Sequence, residues 1–466
     1  ELEAELAQHR QEGDRQGEAE TLHALGYEYE YLGLYPCARS HYTQALALHR
    51  ELGDRHREGE AVQDLGDVHQ SLGELDAARQ HYQDALQIHR EVGELEAEGT
   101  TLNNLGIVYE RLGLYPQAID HYQHAILRRA ELDDLTGEAR TRRRLALLYQ
   151  DMGQYDAALT EHQQVLAIAH ETNDARLESD ALFYIGTLYQ LRGNNPLAAE
   201  TLSRALNSAQ QAEDISLQAL IHNNLYVLYG ELGQYALALT HGEQALTLYR
   251  AQGDRYWEGR SLMHIGVTHH QLGQPGQALE YYQQAIEIMR NSGDRDGERA
   301  ALNNSANALQ QLGQLDAALA HHKQALRIAR RSHRRHAEAA SLYGIGSVYE
   351  AQGKHARALR HYQQAQTLYE EIGFSAQHSV AFARGRVLQK RGHYEQALTI
   401  YQDTLIAADT ASVPALQWQV NHALQQLLLL QDRPYEAVFY GKRAVNAIQS
   451  LRAGAQTLDA ELQTSL

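Results

Sequence analysis

Cysteine is almost missing from this sequence: Cys37 is the single one in 466 residues. A disulfide framework within the chain is excluded, and a reducing compartment fits best. Proline is scarce, six in all, so few positions forbid helix. No run of about 18 apolar residues occurs, and nothing reads as a membrane span. The opening residues, ELEAELAQHRQEG, are acidic and carry no apolar signal-peptide core. Together these features point to a cytoplasmic protein. Positive charge is also short. Lys and Arg number 41 against 59 Asp and Glu, a formal net charge of -18. Broad nucleic-acid binding needs a concentrated basic surface and is excluded.

Catalytic motifs are absent too. There is no H-E-x-x-H, no phosphate-cradling glycine loop and no nucleophile elbow. A cysteine nucleophile needs a base and an orienting group nearby; Cys37 directly precedes the packing Ala38 on a second helix, so it reads as a packing or half-exposed thiol. The 26 histidines invite a metal reading at His269–His270, His321–His322 and His333–His336. Adjacent helical histidines do not converge on one ion. His69, His162, His269 and His322 instead fall where other repeats place tyrosine. The expectation is a chain with no enzyme activity, no metal and no cofactor.

What is present is repetition. Glycine stands at 33, 73, 113, 153, 193, 233, 273, 313 and 353, a period of forty, and then at 392. Alanine stands at 38, 78, 118, 158, 198, 238, 278, 318, 358, 397 and 437. Twelve residues before most of these alanines lies another small residue, such as Gly26, Gly66 and Gly106; Tyr226 and Gln425 depart from it. Within the third unit, Leu102, Leu105, Val108, Tyr109 and Leu112 recur three or four apart, the period of a helix. Gly113 ends that helix, and Pro116 opens the next, where a missing N–H costs nothing. Two helices per unit cannot bury their apolar stripes alone, whereas stacked neighbours can. The pattern predicts an all-α, right-handed superhelical solenoid of about eleven antiparallel helix pairs.

L-G-x-x-Y, then G, then A-x-x-x-Y-x-x-A resembles the tetratricopeptide repeat, here as Leu105, Gly106, Tyr109, Gly113, Ala118, Tyr122 and Ala125. The forty-residue spacing is similar to its long-helix variety, found in kinesin light chains, polarity adaptors and bacterial signalling proteins. Residues 1–14 read as the end of a preceding repeat helix, 15–410 as repeats, and 411–466 as a divergent last repeat with a capping helix or linker. The chain lacks an initial Met and reads as starting inside a unit, as an excised fragment would. Phe439–Asn446, Ile448–Arg452 and Leu458–Leu466 resemble the segment that precedes a CHAT domain, a caspase-like protease fold, in bacterial proteins. That resemblance implies a regulatory arm; a capping helix is the plainer alternative.

In such a fold the first helix of each pair lines the concave face. With the small residue counted as position eight, positions two, five, six, nine and twelve point inward. They supply Asn103, Asn104, Arg140, Arg143, Arg144, Tyr184, Asn223, Asn224, His264, Asn303, Asn304 and Asn307 as candidate peptide-binding residues. Asparagine both donates and accepts, so it pairs with an extended backbone without reading sequence. Guanidinium groups suit carboxylates. In peptide-binding members that the chain resembles, Asn at position six clamps the ligand backbone, which implies Asn104, Asn224 and Asn304. The expected partner is a protein or peptide segment with acidic residues. No nucleic acid or membrane is expected as a partner. Head-to-tail self-association and the sensor array of a nucleotide-switch regulator are the alternatives.

Overall fold

Each turn between helices is set by one residue in the left-handed region, and an Asp cap joins it at many of the turns that follow a second helix. Gly53, at φ 72°, closes a second helix, and the Asp54 side chain accepts the N–H of Arg57 to start the next. Glycine tolerates that φ without strain. Asp133, Asn173, Glu213 and His333 take the same slot at φ 53°.

The computed structural model describes the backbone of residues 1–464 and the side chains of residues 1–452. Among the described residues there are 23 helices and no strand. None of these helices is long and apolar enough to cross a membrane. Two compact units arise. The first, residues 1–194 with 201–212, holds α1 (Leu2–Glu12), α2 (Arg15–Tyr31), α3 (Tyr35–Leu52), α4 (Arg55–Ser71), α5 (Leu75–Val92), α6 (Leu95–Arg111), α7 (Tyr115–Glu131), α8 (Leu135–Asp151), α9 (Tyr155–Thr172) and α10 (Ala175–Leu191). Helix α11 (Asn195–Gln211) contributes to both units. The second, residues 195–200 with 213–466, holds α12 (Ile215–Glu231), α13 (Tyr235–Gln252), α14 (Arg255–Gln271), α15 (Pro275–Ser292), α16 (Arg295–Gln311), α17 (Leu315–Arg331), α18 (Arg335–Ala351), α19 (His355–Glu371), α20 (Gln377–Lys390), α21 (Tyr394–Thr410), α22 (Pro414–Leu430) and α23 (Pro434–Thr464). Each unit is an all-α solenoid: α1 to α10 in the first and α12 to α23 in the second each pack on the next helix in sequence.

A ring against a missing side chain holds most pairs together. Tyr42, Tyr82, Tyr122, Tyr282, Tyr362 and Tyr401 are fully buried. Opposite them stand Gly26, Gly66, Gly106, Gly266, Gly346 and Gly385, where a Cβ would lie 2.5–2.7 Å from ring carbons. The two departures are exchanges. Tyr226 sits in the glycine slot of α12 and Gly242 in the ring slot of α13, where a Cβ would lie 2.9 Å from the Tyr226 ring. Gln425 faces Gly441 in the same way. The repeat specifies the summed volume of the two positions, and either helix can carry the bulk.

Candidate functional site

Within each unit successive first helices touch, as α4 does α6, α14 does α16 and α16 does α18. Side-chain bonds span them: His23–Asp64 at 2.6 Å, Arg143–Asp180 at 3.1 Å and Asn303–Ser341 at 3.2 Å. The first helices thus form the closely drawn side of each stack, its inner wall. Ring hydroxyls reach this wall and occupy its acids: Tyr42 donates to Glu30, Tyr122 to Glu110 and Tyr362 to Glu350. Glu350 also takes Arg386 and Lys390. Tyr82 donates to Asp67 at 2.6 Å. Burial, with Asp64 and Glu30 nearby, still pushes the Asp67 carboxyl up to about 7.

The six candidates of the first unit divide by partner. Asn103 is buried, and its Oδ1 accepts from Thr141; this amide faces the next helix rather than solvent. Asn104 is half-buried and donates to Asp67 at 3.0 Å. Arg143 is tied to Asp180. Arg140 and Arg144 are exposed, one turn apart, with no carboxylate partner among the described residues; Arg144 lies beside the Tyr122 hydroxyl. Tyr184 stacks on His162 at 5.0 Å. Phe183 is buried.

In the second unit, Asn224 donates to the Leu220 carbonyl of its own helix. Asn223 is half-buried with no hydrogen bond among the described residues. His264 stacks over Tyr226 at 6.1 Å, and burial, then Arg260, hold its imidazole below the usual range. Asn303, Asn304 and Asn307 come together at a cavity of about 330 Å3 between α16 and α18. Arg299, Ala300, His322, Ala340, Tyr343, Gly344 and Tyr369 complete its lining. Asn303 is committed internally, to Ser341 and to His322 Nδ1 at 3.0 Å. Asn304 and Asn307 hold no hydrogen bond among the described residues.

One feature escaped the sequence reading although its signal was periodic. Glutamate recurs at 18, 58, 98, 138, 178, 258, 298 and 338, in the first turn of first helices. Glu298 is 2% exposed and takes Arg290 Nε at 2.8 Å and Arg295 Nη1 at 2.9 Å. Glu18, Glu58 and Glu258 repeat the arrangement. Burial works to raise the Glu258 carboxyl, but hydrogen bonds from Arg250 and Arg255 outweigh it and hold the group below its usual range. Each clamp fastens a second helix to the first helix that follows.

Residues 60–129, 137–211, 217–291 and 298–371 match one tetratricopeptide repeat family model, and residues 23–92 match another. No curated protein matches the chain. Among solved structures, the apo form of RapI is 14% identical over 59% of this chain and 99% of that one, with a TM-score of 0.49. A Rap protein complexed with Competence and Sporulation Factor is 17% identical over 68% and 99%, TM-score 0.42. A Signal Transduction ATPase with Numerous Domains protein with a tetratricopeptide repeat sensor, from Pyrococcus horikoshii, is 15% identical over 86% and 54%, TM-score 0.45.

Proposed function

As the chain belongs to the tetratricopeptide repeat family, we propose that it is a non-catalytic protein-interaction scaffold whose inner walls take extended partner segments. One observation carries this reading. Most polar groups of the walls are bonded within the fold, yet Arg140, Arg144, Asn223, Asn304 and Asn307 have neither carboxylate nor amide partners among the described residues. Like charges at Arg140 and Arg144, four apart on one helix, cost a few tenths of a kcal/mol. In an acidic protein that cost is offset when an anionic side chain of a partner lies between them. Asn304 has its amide free for a peptide backbone. Asn104 and Asn224 are bonded already and serve less well.

The test is selection of phage-displayed random dodecapeptides on the purified chain. Peptides are expected to enrich over an unrelated helical scaffold. Arg140→Glu with Arg144→Glu should weaken acidic peptides about tenfold or more, and Asn304→Ala should weaken them about fivefold to a hundredfold. Circular dichroism controls for folding. Absence of enrichment, or unchanged affinity in both variants, rejects the proposal.

A second reading has its own observation. Val438 and Val445 of α23 are 57% and 53% exposed, whereas Leu398 and Leu405, one repeat earlier in the same register, are 8% and 5% exposed. That face suits a further helical element. It supports a regulatory arm attached to a CHAT-like domain, as Phe439–Asn446 and Ile448–Arg452 suggest, or a second copy stacked head to tail. Leu458–Leu466, the third part of that resemblance, lies outside the residues whose side chains are described. Light scattering decides between them: concentration-dependent association abolished by Val445→Asp favours the second copy, and a monomer at all concentrations favours the arm.

A further inference from the structure

The cavity between α16 and α18 has a composition that discriminates among side chains. Its polar lining is uncharged apart from Arg299, and that guanidinium is tied to Asp296 at 3.0 and 3.2 Å. No carboxylate lines it. His322 is 2% exposed, and its Nδ1 donates to the side-chain Oδ1 of Asn303. Burial holds this imidazole down at about 4, so it is neutral near pH 7. Space exists because position six of α18 is Gly344: a Cβ there would lie 2.3 Å from His322 Cε1. In the first helices α6 to α16 the same position carries Asn104, Arg144, Tyr184, Asn224, His264 and Asn304.

We infer that this cavity takes one glutamine or asparagine side chain of the bound segment, while Asn304 at its rim pairs with that segment's backbone. The inference rests on the inner-wall reading above. A carboxylate finds no uncompensated cation there, and an ammonium or guanidinium finds no acid. An apolar group would strip water from the Asn307 amide without replacing its hydrogen bonds. A carboxamide supplies donors and an acceptor together, which matches the Asn307 amide, with the aromatic side chains of Tyr343 and Tyr369 in the same lining.

The experiment repeats the dodecapeptide selection with two variants. Ala340→Phe fills the cavity, and Asn307→Asp converts an amide wall to an acceptor-only carboxylate. Wild-type peptides are expected to share one position rich in Gln or Asn. Ala340→Phe should erase that preference, weakening Gln-bearing peptides about tenfold, and leave the rest of the consensus intact. Asn307→Asp should shift the same position toward Lys and Arg. If the position that responds to Ala340→Phe or Asn307→Asp prefers Asp, Glu or an apolar residue, the inference is overturned, as it is by a consensus in which no position responds to either variant; the scaffold reading then stands. Failure to select any peptide overturns both. Asn307 is exposed, so its variant keeps the test valid if Ala340→Phe does not fold.

Discussion

Exchanging Gly106 and Tyr122 should reproduce by design what Tyr226 and Gly242 do natively. Alone, Tyr122→Gly empties a fully buried ring site, a loss of about 3–5 kcal/mol, and a helical glycine adds about 1 kcal/mol. Alone, Gly106→Tyr is worse. Its Cβ would lie 2.5 Å from Tyr122 Cε1, and that ring is pinned by its 2.6 Å hydrogen bond to Glu110. Overpacking by a few atoms costs about 1–3 kcal/mol, and a whole phenol exceeds that. In the double variant the volumes match again. Tyr226 shows where the hydroxyl goes: to the His264 carbonyl at 2.7 Å and to Thr268 Oγ1 at 2.6 Å. The equivalent positions are Arg144, whose carbonyl is present, and Leu148, which lacks a hydroxyl. One lost hydrogen bond costs about 1 kcal/mol, so the double variant should be destabilised by about 1–3 kcal/mol. Additivity would require about 7 kcal/mol or more, the sum of the single costs. The assay is hydrogen exchange of the α6 and α7 amides, because a long repeat array need not unfold in one step. A double variant that exchanges as fast as the worse single variant refutes the volume-pair reasoning.

Glu298→Ala should cost about 2 kcal/mol, less than a fully buried pair because Arg290 and Arg295 are largely exposed, 47% and 65%, and regain water; faster exchange at the α15–α16 junction reads it, and unchanged exchange there rejects the clamp. His162 carries a pH dependence. Burial, then Arg143, hold its imidazole down at about 4, against about 6.5 unfolded. The folded chain binds fewer protons between those values. This contribution is therefore complete above pH 6.5 and lost as pH falls toward 4, by about 2 kcal/mol at pH 5. His162→Leu, which copies Leu202 in the same slot, should flatten the drop in melting temperature from pH 8 to pH 5; an unchanged slope contradicts it.

The framework was legible because its signals are local or strictly periodic. All eleven register alanines are 0–1% exposed, and the Asp caps and left-handed glycines fall where turn chemistry places them. The exchange at 226 and 242 was also readable, once both positions are treated as one volume. Which wall residues stay free was not, since that depends on a neighbour about forty residues away. Helical register alone points Asn103 inward, yet Thr141, 38 residues on, draws it into the interface; Ser341 does the same to Asn303, and Thr101 to Gln63. Position five is thus spent when a hydroxyl follows at that distance.

Position six behaves differently, and the difference locates specificity. The ring–glycine pairs and the Glu–Arg clamps are made by other positions of the repeat, so neither constraint fixes its identity. The residues there run from Ala24 through Asp64, Asn104, Arg144, Tyr184, Asn224, His264 and Asn304 to Gly344. A change at this position alters the inner wall without altering the stack, except where it also carries packing. Tyr184 and His264 carry packing through their stacks on His162 and Tyr226, and so does Gly344: His322 lies across it, so the cavity beside Asn304 and the seating of the His322 ring depend on the same missing side chain. A ligand preference built there is tied to the fold more tightly than one built on Arg144, which projects into solvent and can be replaced at little structural cost.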